Sequence, residues 1–216
     1  MIGLGNRMQI PPVIKNLLII NGLFYFLTIV LMNNPVILNP AKGFLLESNI
    51  IYKYLALWHW ETNLFQPWQL ISHMFLHDAP DPMHIFTNML ALWMFGSPIE
   101  NRWGSKRFLQ YYIFTGVGAA LFFMLLSPTV IPMVGASGAV FGILLAFGML
   151  YPNTQIILLI PPMPIKAKYL VIGYGLFSLY MGVSRTGGEV AHLAHVGGLL
   201  FGLLFFIYWK IKGIYY

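Results

Sequence analysis

The feature that most constrains this chain is its scarcity of charge. Only 8% of its 216 residues are charged, whereas soluble globular domains carry about 25%. Apolar residues make up 58% of the chain, and the mean hydropathy is +0.73. So few charges cannot cover the surface of a water-soluble fold of this size, and so much apolar side chain excludes disorder. The sequence therefore predicts an integral membrane protein.

The apolar residues occur in continuous runs, which favours spanning helices over the alternating strands of a barrel. A helix needs about 20 residues to cross a hydrocarbon core of roughly 30 Å. We predict a single all-α domain over residues 1–216 with six spans. The predicted spans cover residues 13–32, 83–98, 108–126, 137–151, 169–183 and 190–208. No small-residue cleavage site follows the first span, so we expect an uncleaved anchor rather than a signal peptide.

Two of the connections between spans have distinctive compositions. Residues 33–82 contain Trp58, Trp60 and Trp68 and are too apolar for a free linker, so we predict a long structured loop at the membrane interface. Residues 155–165 contain three prolines around Met163, which predicts a turn region that returns to the surface.

The basic residues are distributed unevenly between the two ends of the predicted spans. With the N-terminus in the cytoplasm, nine of the twelve fall inside and three outside. The nine are Arg7, Lys15, Arg102, Lys106, Arg107, Lys166, Lys168, Lys210 and Lys212, and the three are Lys42, Lys53 and Arg185. This bias predicts that both termini are cytoplasmic and that the second, fourth and sixth spans run inward from the outer face. The net charge of +6 is thus a topology signal rather than a sign of nucleic-acid binding.

Ser137 lies in the pattern Gly135-Ala136-Ser137-Gly138 at the start of the fourth span. Because that span has about 15 residues and rises only about 22 Å, its start must lie below the outer surface, reached by a loop over residues 127–136 that dips inward. Backbone N–H groups and the helix dipole at such a start favour negative charge on a group that Ser137 attacks. The alternative interpretation is a serine N-cap with glycines for packing.

His195 lies about five residues into the sixth span, at a depth that matches Ser137. Small-residue faces on the fourth and sixth spans would let their backbones approach closely. These faces are Gly138 with Gly142 and Gly198 with Gly202. If they meet, Ser137 meets His195, whose imidazole can take the hydroxyl proton. Phe141, one turn after Ser137, could pack on that imidazole. A histidine hydrogen-bonded for packing and ordinary packing of Phe141 remain the alternatives.

His84 and Asn88 are four residues apart, on one face of the second span near its outer end. Two side-chain donors directed at one point are what an oxyanion requires, and a solvated helix start is the alternative. We also expect His84, His73 and His77 to line the outer mouth of a site. No acidic residue lies within five positions of His195, so the sequence predicts a Ser–His dyad rather than a triad.

Together, these motifs resemble those of the rhomboid family of intramembrane serine proteases, over about residues 73–202. The pair His84 and Asn88 resembles the family's second-helix His/Asn pair, which is implied to help bind the oxyanion. Residues 135–138 resemble the nucleophile motif. Residues 191–198 with Gly202 resemble the sixth-helix motif, in which His195 is the implied base. Glu100 and Arg102 resemble a structural E-x-R segment that follows the second helix.

The resemblance implies a six-helix rhomboid-like bundle and a serine endopeptidase. Its substrates would be single-span or multi-span membrane proteins, cleaved near the outer face without a cofactor or a metal. The implied catalytic residues are Ser137 and His195, the oxyanion would contact His84, Asn88 and Ser137, and structural support would come from Gly135, Gly138, Phe141, Gly198, Gly202, Glu100 and Arg102. The short chain, without a targeting extension, indicates a bacterial plasma membrane.

Two positions depart from the best-known pattern of the family. Phe141 stands where some members have tyrosine, so ring stacking would survive without the hydroxyl. The connection over residues 76–82 looks longer than usual, and the sequence does not predict its role.

Three other functions remain as alternatives. A metal site is suggested by six histidines toward the outer face, although there is no H-E-x-x-H motif and no cysteine ligand. A non-catalytic membrane-helix binder or quality-control protein on the same scaffold would keep its function without Ser137. A transporter would commonly carry internal repeat symmetry, which the six spans lack.

Overall fold

The computed structural model describes residues 10–32, 35–41, 44–126, 131–158, 162–184 and 189–214. In chain order, the elements are α1 (Pro12–Leu31), β1 (Pro35–Ala41), β2 (Phe44–Asn49), α2 (Ile50–Leu55), α3 (Gln69–Ser72), a 3₁₀ turn (His73–Phe75), α4 (Pro82–Trp103), α5 (Ser105–Leu126), α6 (Ser137–Leu150), β3 (Gln155–Ile157), β4 (Pro164–Lys166), α7 (Ala167–Ser184) and α8 (Glu189–Ile211).

Six of the described helices, α1 and α4 to α8, lie over the six segments predicted to span the membrane. The helices α1 and α5 and residues His192–Ile211 of α8 are long and apolar enough to cross a bilayer, and α6 is a shorter apolar helix. Large apolar side chains such as Phe26, Tyr180 and Ile211 lie on the outside of the bundle, where lipid would cover them. The predicted all-α membrane bundle is confirmed.

Helix α4 extends five residues past the predicted end of the second span. Pro98 lies inside it, and a proline removes one backbone hydrogen bond from a helix. The helix nevertheless continues because Ile99, Glu100 and Trp103 are buried in the bundle. It ends at Gly104, whose φ of 79° is readily adopted by glycine.

The described residues of the long connection between α1 and α4 are structured, as predicted, and include a β-hairpin that the sequence did not predict. Strand β1 pairs antiparallel with β2, and the Asn49 side chain then caps α2 by accepting from Ile51 N at 2.8 Å. Trp58 is fully buried, whereas Trp60 and Trp68 are on the surface. The predicted turn region at 155–165 likewise contains an antiparallel pair, β3 with β4.

Helix α6 lies at the centre of the bundle, in contact with α4, α5, α7 and α8. Nine of its 14 residues are buried. Helix α8 packs most extensively on α5 and α6. The short fourth span is thus enclosed by longer helices, and its first residue, Ser137, is held by the bundle rather than by lipid.

Several residues behind the predicted topology lie outside the described part of the chain. They are Arg7, Lys42 and Arg185 of the charge count, residues 127–130 of the loop before α6, and residues 159–161 of the second turn region. The orientation of the bundle across the membrane therefore stays a prediction.

Glu100 ties the end of α4 to the start of α1. Its carboxylate oxygens accept from Val13 N and Ile14 N, both at 2.9 Å, and Oε1 also accepts from Ser105 Oγ at 2.7 Å. The first N–H groups of a helix lack partners within it, and the positive end of its dipole favours a carboxylate. Glu100 is 2% exposed, and these contacts satisfy its buried charge.

We predict that Glu100→Ala destabilises the bundle, because it leaves two N–H groups of α1 and the Ser105 hydroxyl without their acceptor. The free energy of unfolding should fall by about 2–4 kcal/mol, which thermal unfolding in detergent micelles would measure. The control is Glu61→Ala, since the Glu61 side chain is 72% exposed and its one ion pair among the described residues is with His59 Nδ1 at 3.7 Å. Equal stability of the two variants would contradict the role of Glu100 in holding the start of α1.

Candidate active site

The segment before α6 is fixed at two points to the long α1–α4 connection. Leu57 and Met133 exchange two backbone hydrogen bonds of 2.9 Å, and Gly135 N donates to the His73 carbonyl at 3.0 Å. Helix α6 begins directly afterwards, at Ser137. The Ser137 hydroxyl therefore stands at a helix start whose first N–H groups have no partner within the helix.

The two predicted small-residue faces meet. A Cβ at Gly198 would collide with the carbonyl oxygen of Gly138, and a Cβ at Gly202 would lie 3.1 Å from the Cα of Gly142. The α6 and α8 backbones are thus in direct contact at two levels, one helical turn apart. A side chain at either Gly198 or Gly202 would therefore push α8 away from α6.

The same two glycines of α6 also pack closely against α5. A Cβ at Gly138 would lie 2.5 Å from the Cβ of Ala119, and one at Gly142 would lie 2.6 Å from the Cβ of Thr115. Helix α6 is therefore clamped between α5 and α8, and neither neighbour leaves room for a larger residue.

Tyr111 of α5 links the two glycine faces, a role that the sequence analysis missed. Its hydroxyl lies 3.1 Å from the carbonyl oxygen of Gly142 and 3.0 Å from that of Gly202. The side chain is fully buried, and a buried tyrosine hydroxyl normally finds a hydrogen-bond partner. A tyrosine near the start of an apolar span was the available signal, but the sequence does not identify its partners.

The imidazole of His195 stacks on the ring of Phe141. The two rings are parallel to within 6°, and their centroids are 4.0 Å apart. Because Phe141 lies one turn after Ser137, the stack holds His195 along the Ser137 side of α6. His192, one turn earlier on α8, meets His195 only edge-on, at 5.9 Å between centroids.

His84 borders the same point as Ser137. A Cβ at Gly135 would lie 2.9 Å from His84 Nε2 and 3.7 Å from Ser137 Oγ. Gly135 has a φ of 127°, which is readily open only to glycine, so the residue that separates the two groups can carry no side chain. The other nitrogen of His84, Nδ1, accepts from Asp78 N at 3.2 Å.

Asn88 is buried on the same face of α4 as His84. Its Nδ2 donates to the His84 carbonyl at 2.8 Å. An amide nitrogen has two hydrogens, so the second remains for another acceptor. The two predicted donors therefore differ. One amide hydrogen of Asn88 is already bonded within α4, so only the other is free to bind an oxyanion.

His73 and His77 do not line an open mouth, and that prediction is wrong. Their side chains are 2% and 0% exposed, and His73 Nδ1 lies 2.8 Å from the carbonyl of Gln69. Burial lowers the pKa of His73 to about 4, and burial together with the nearby His84 lowers the pKa of His77 to about 3. Both rings are thus neutral at physiological pH.

The remaining predicted support positions, Arg102 and Glu100, lie away from Ser137 and His195 in the structure. Arg102 lies at the far end of α4, with its guanidinium 5.8 Å from the centre of the Tyr151 ring, and Glu100 holds α1 as described above.

No group of three or more histidine or carboxylate side chains that could hold a metal ion occurs among the described residues.

The fold is that of a helical membrane protein in which His84 and Ser137 border Gly135. His195 stacks on Phe141, one helical turn after Ser137. A family model for the rhomboid domain matches residues 64–211 of this chain. The chain belongs to the rhomboid family.

Curated relatives agree with this family assignment. The chain is 32% identical over 127 residues to "Rhomboid protein 1, mitochondrial" of Saccharomyces cerevisiae, covering 56% of this chain and 36% of that protein. It is 32% identical over 138 residues to "Rhomboid protease GluP" of Bacillus subtilis, covering 62% and 24% respectively. It is 30% identical over 161 residues to "Rhomboid protease GlpG" of Yersinia pestis, covering 71% and 52%. The aligned part thus spans between a quarter and a half of these relatives.

We predict that Gly198→Ala separates α6 from α8, because the added methyl group collides with backbone rather than with a flexible side chain. The free energy of unfolding should fall by about 1–3 kcal/mol, as measured by thermal unfolding in micelles. The control is Gly173→Ala in α7, where a Cβ would meet nothing within 4 Å and alanine favours the helix. A Gly198→Ala variant as stable as Gly173→Ala would contradict the close contact.

Proposed function

We propose that this protein is an intramembrane serine endopeptidase with a Ser137–His195 dyad. The observation that carries the proposal is the stack of His195 on Phe141, one helical turn from Ser137 and beside the direct contact of α6 with α8. A hydroxyl becomes an effective nucleophile when an adjacent imidazole can take its proton. Membership of the rhomboid family and the protease names of the two bacterial relatives support the same activity.

The proposed reaction proceeds in two halves. Ser137 Oγ attacks the scissile carbonyl carbon while His195 takes the hydroxyl proton, and the carbonyl oxygen becomes an oxyanion. The C–N bond then breaks, His195 returns the proton to the leaving amine, and an acyl group stays on Ser137. In the second half, water attacks that ester with His195 as base, which releases the carboxylic acid and restores the serine.

The oxyanion in this proposal lies between α4 and the start of α6. Its donors are the Ser137 backbone N–H, the Nε2–H of His84 and the free amide hydrogen of Asn88. Support comes from the position of His84 Nε2 beside Gly135 and Ser137, and from the burial of Asn88. Loss of one such donor typically lowers the rate by about 10²–10³-fold.

The proposed substrates are single-span or multi-span membrane proteins, cut near the outer face of a bacterial plasma membrane. Both termini of the protease would be cytoplasmic. An intact helix hides its peptide carbonyls within its own hydrogen bonds, so the substrate must unwind at the cleavage point. Small or helix-breaking residues there should favour cleavage. No cofactor enters the proposed reaction.

We predict that Ser137→Ala abolishes cleavage of a model single-span substrate in membranes, because the nucleophilic oxygen is gone. His195→Ala should abolish it as well, and His84→Ala should lower kcat by about 10²–10³-fold. The measurement is cleavage of the substrate after co-reconstitution into vesicles. His59→Ala serves as the matched histidine variant, since His59 lies in the α1–α4 connection, where its Nε2 contacts the Met124 carbonyl.

The alternative functions give different outcomes in the same assay. Unchanged cleavage by Ser137→Ala would refute the serine mechanism. Activity lost in a metal chelator and restored by added metal would favour a metalloprotease. Substrate that binds to the wild-type protein and to Ser137→Ala but is cut by neither would favour a non-catalytic membrane-helix binder.

A further inference from the structure

The turn before α4 is held by two tyrosine hydroxyls from other elements. Tyr52 of α2 donates to the His77 carbonyl at 2.8 Å, and its oxygen accepts from Ala79 N at 3.3 Å. Tyr25 of α1 donates to the Ala79 carbonyl at 3.2 Å. Burial raises the pKa of Tyr52 to about 12, so its hydroxyl keeps its proton at physiological pH. These three hydrogen bonds fix the backbone on either side of Asp78.

The Asp78 backbone N–H, which lies between these hydrogen bonds in the sequence, donates to His84 Nδ1 at 3.2 Å. A neutral imidazole carries its proton on one nitrogen only, and the nitrogen that accepts from Asp78 cannot be the protonated one. The proton of neutral His84 therefore lies on Nε2. That is the nitrogen that borders Gly135 on one side, as Ser137 Oγ borders it on the other.

We propose that Tyr52 and Tyr25 are positioning residues that fix the tautomer of His84 through the turn at residues 77–79. The inference rests on the proposed function, in which His84 Nε2–H donates to the oxyanion. It also assigns a role to the connection over residues 76–82, whose backbone supplies the N–H that selects the tautomer.

The opposite tautomer would be harmful to the proposed reaction. His84 would then direct a lone pair rather than a hydrogen at the developing negative charge. An oxyanion donor is effective only when it is oriented before the charge develops. A free neutral histidine exchanges between the two tautomers and favours Nε2–H only modestly. Holding a single tautomer therefore needs a partner at Nδ1, which here is the Asp78 N–H.

The test is Tyr52→Phe, which removes the hydroxyl and keeps the ring. The first readout is the ¹⁵N chemical shifts of the His84 imidazole in protein labelled at histidine, assigned by their loss in His84→Ala. We expect a single Nε2–H tautomer in the wild type and a mixture of tautomers in Tyr52→Phe. Tyr25→Phe, which removes one of the three hydrogen bonds, should produce a smaller shift in the same direction.

The second readout is kinetic. Tyr52→Phe should lower kcat by about five- to thirtyfold, as expected for the loss of its two hydrogen bonds, with KM unchanged. In the His84→Ala background, Tyr52→Phe should have no further effect on kcat, since the residue through which it acts is gone. Tyr54→Phe is the matched control on α2, because Tyr54 is half exposed and its hydroxyl has no hydrogen bond among the described residues.

Three results would overturn the proposal. They are a Nδ1–H tautomer in the wild type, an unchanged Nε2–H tautomer in Tyr52→Phe, and an equal loss of kcat with and without His84. Failure of the proposed function is distinguishable, because the tautomer is measured without substrate. Suppose that Ser137→Ala still cleaves the substrate but the His84 tautomer changes in Tyr52→Phe. The Ser137–His195 dyad would then be wrong, whereas the positioning of His84 by Tyr52 would be supported.

Discussion

The direct contact between the backbones of α6 and α8 is the constraint on which the rest of the site depends. Lipid chains are as apolar as leucine side chains, so no hydrophobic force drives two helices together inside a bilayer. Close packing and hydrogen bonds must do so, and both act here. Gly138 meets Gly198 and Gly142 approaches Gly202, while the Tyr111 hydroxyl lies between the carbonyls of Gly142 and Gly202. Glycine costs about 1 kcal/mol in a helix interior relative to alanine, and the close contact offsets that cost.

This contact sets Ser137 and His195 on facing helices, while His84 is held by a separate part of the chain. The stack of Phe141 on His195 continues the α6–α8 interface to the start of α6. His84, in contrast, receives its hydrogen bond from Asp78 in a turn held by Tyr25 and Tyr52. The proposed nucleophile and base thus depend on helix packing, and the proposed oxyanion donor depends on the α1–α4 connection. The two parts meet at Gly135, whose N–H bonds to that connection through the His73 carbonyl.

Much of this arrangement could be predicted from local sequence because helical spacing is regular. The spacing of Ser137, Phe141 and the glycines predicted one face of α6, and hydropathy predicted the six long helices. Apart from the β1–β2 hairpin and the longer α4, the details that the sequence did not predict are tertiary. The partners of the Tyr111 hydroxyl lie 31 and 91 residues away, and the carbonyl that Tyr52 binds is 25 residues away. Sequence polarity suggested that His73 and His77 face water, yet both are buried, because polarity alone does not reveal which side of a turn is covered.

The proposed activation of Ser137 by His195 depends on the packing of α6 on α8. The most direct measurement is labelling of the protein in membranes by a fluorophosphonate, which reacts with activated serines. We predict labelling at Ser137 that is lost in His195→Ala and retained in His192→Ala, since His192 lies one turn away and meets the base only edge-on. Labelling of Ser137 that persists in His195→Ala, or labelling of the wild type at another serine alone, would contradict the account.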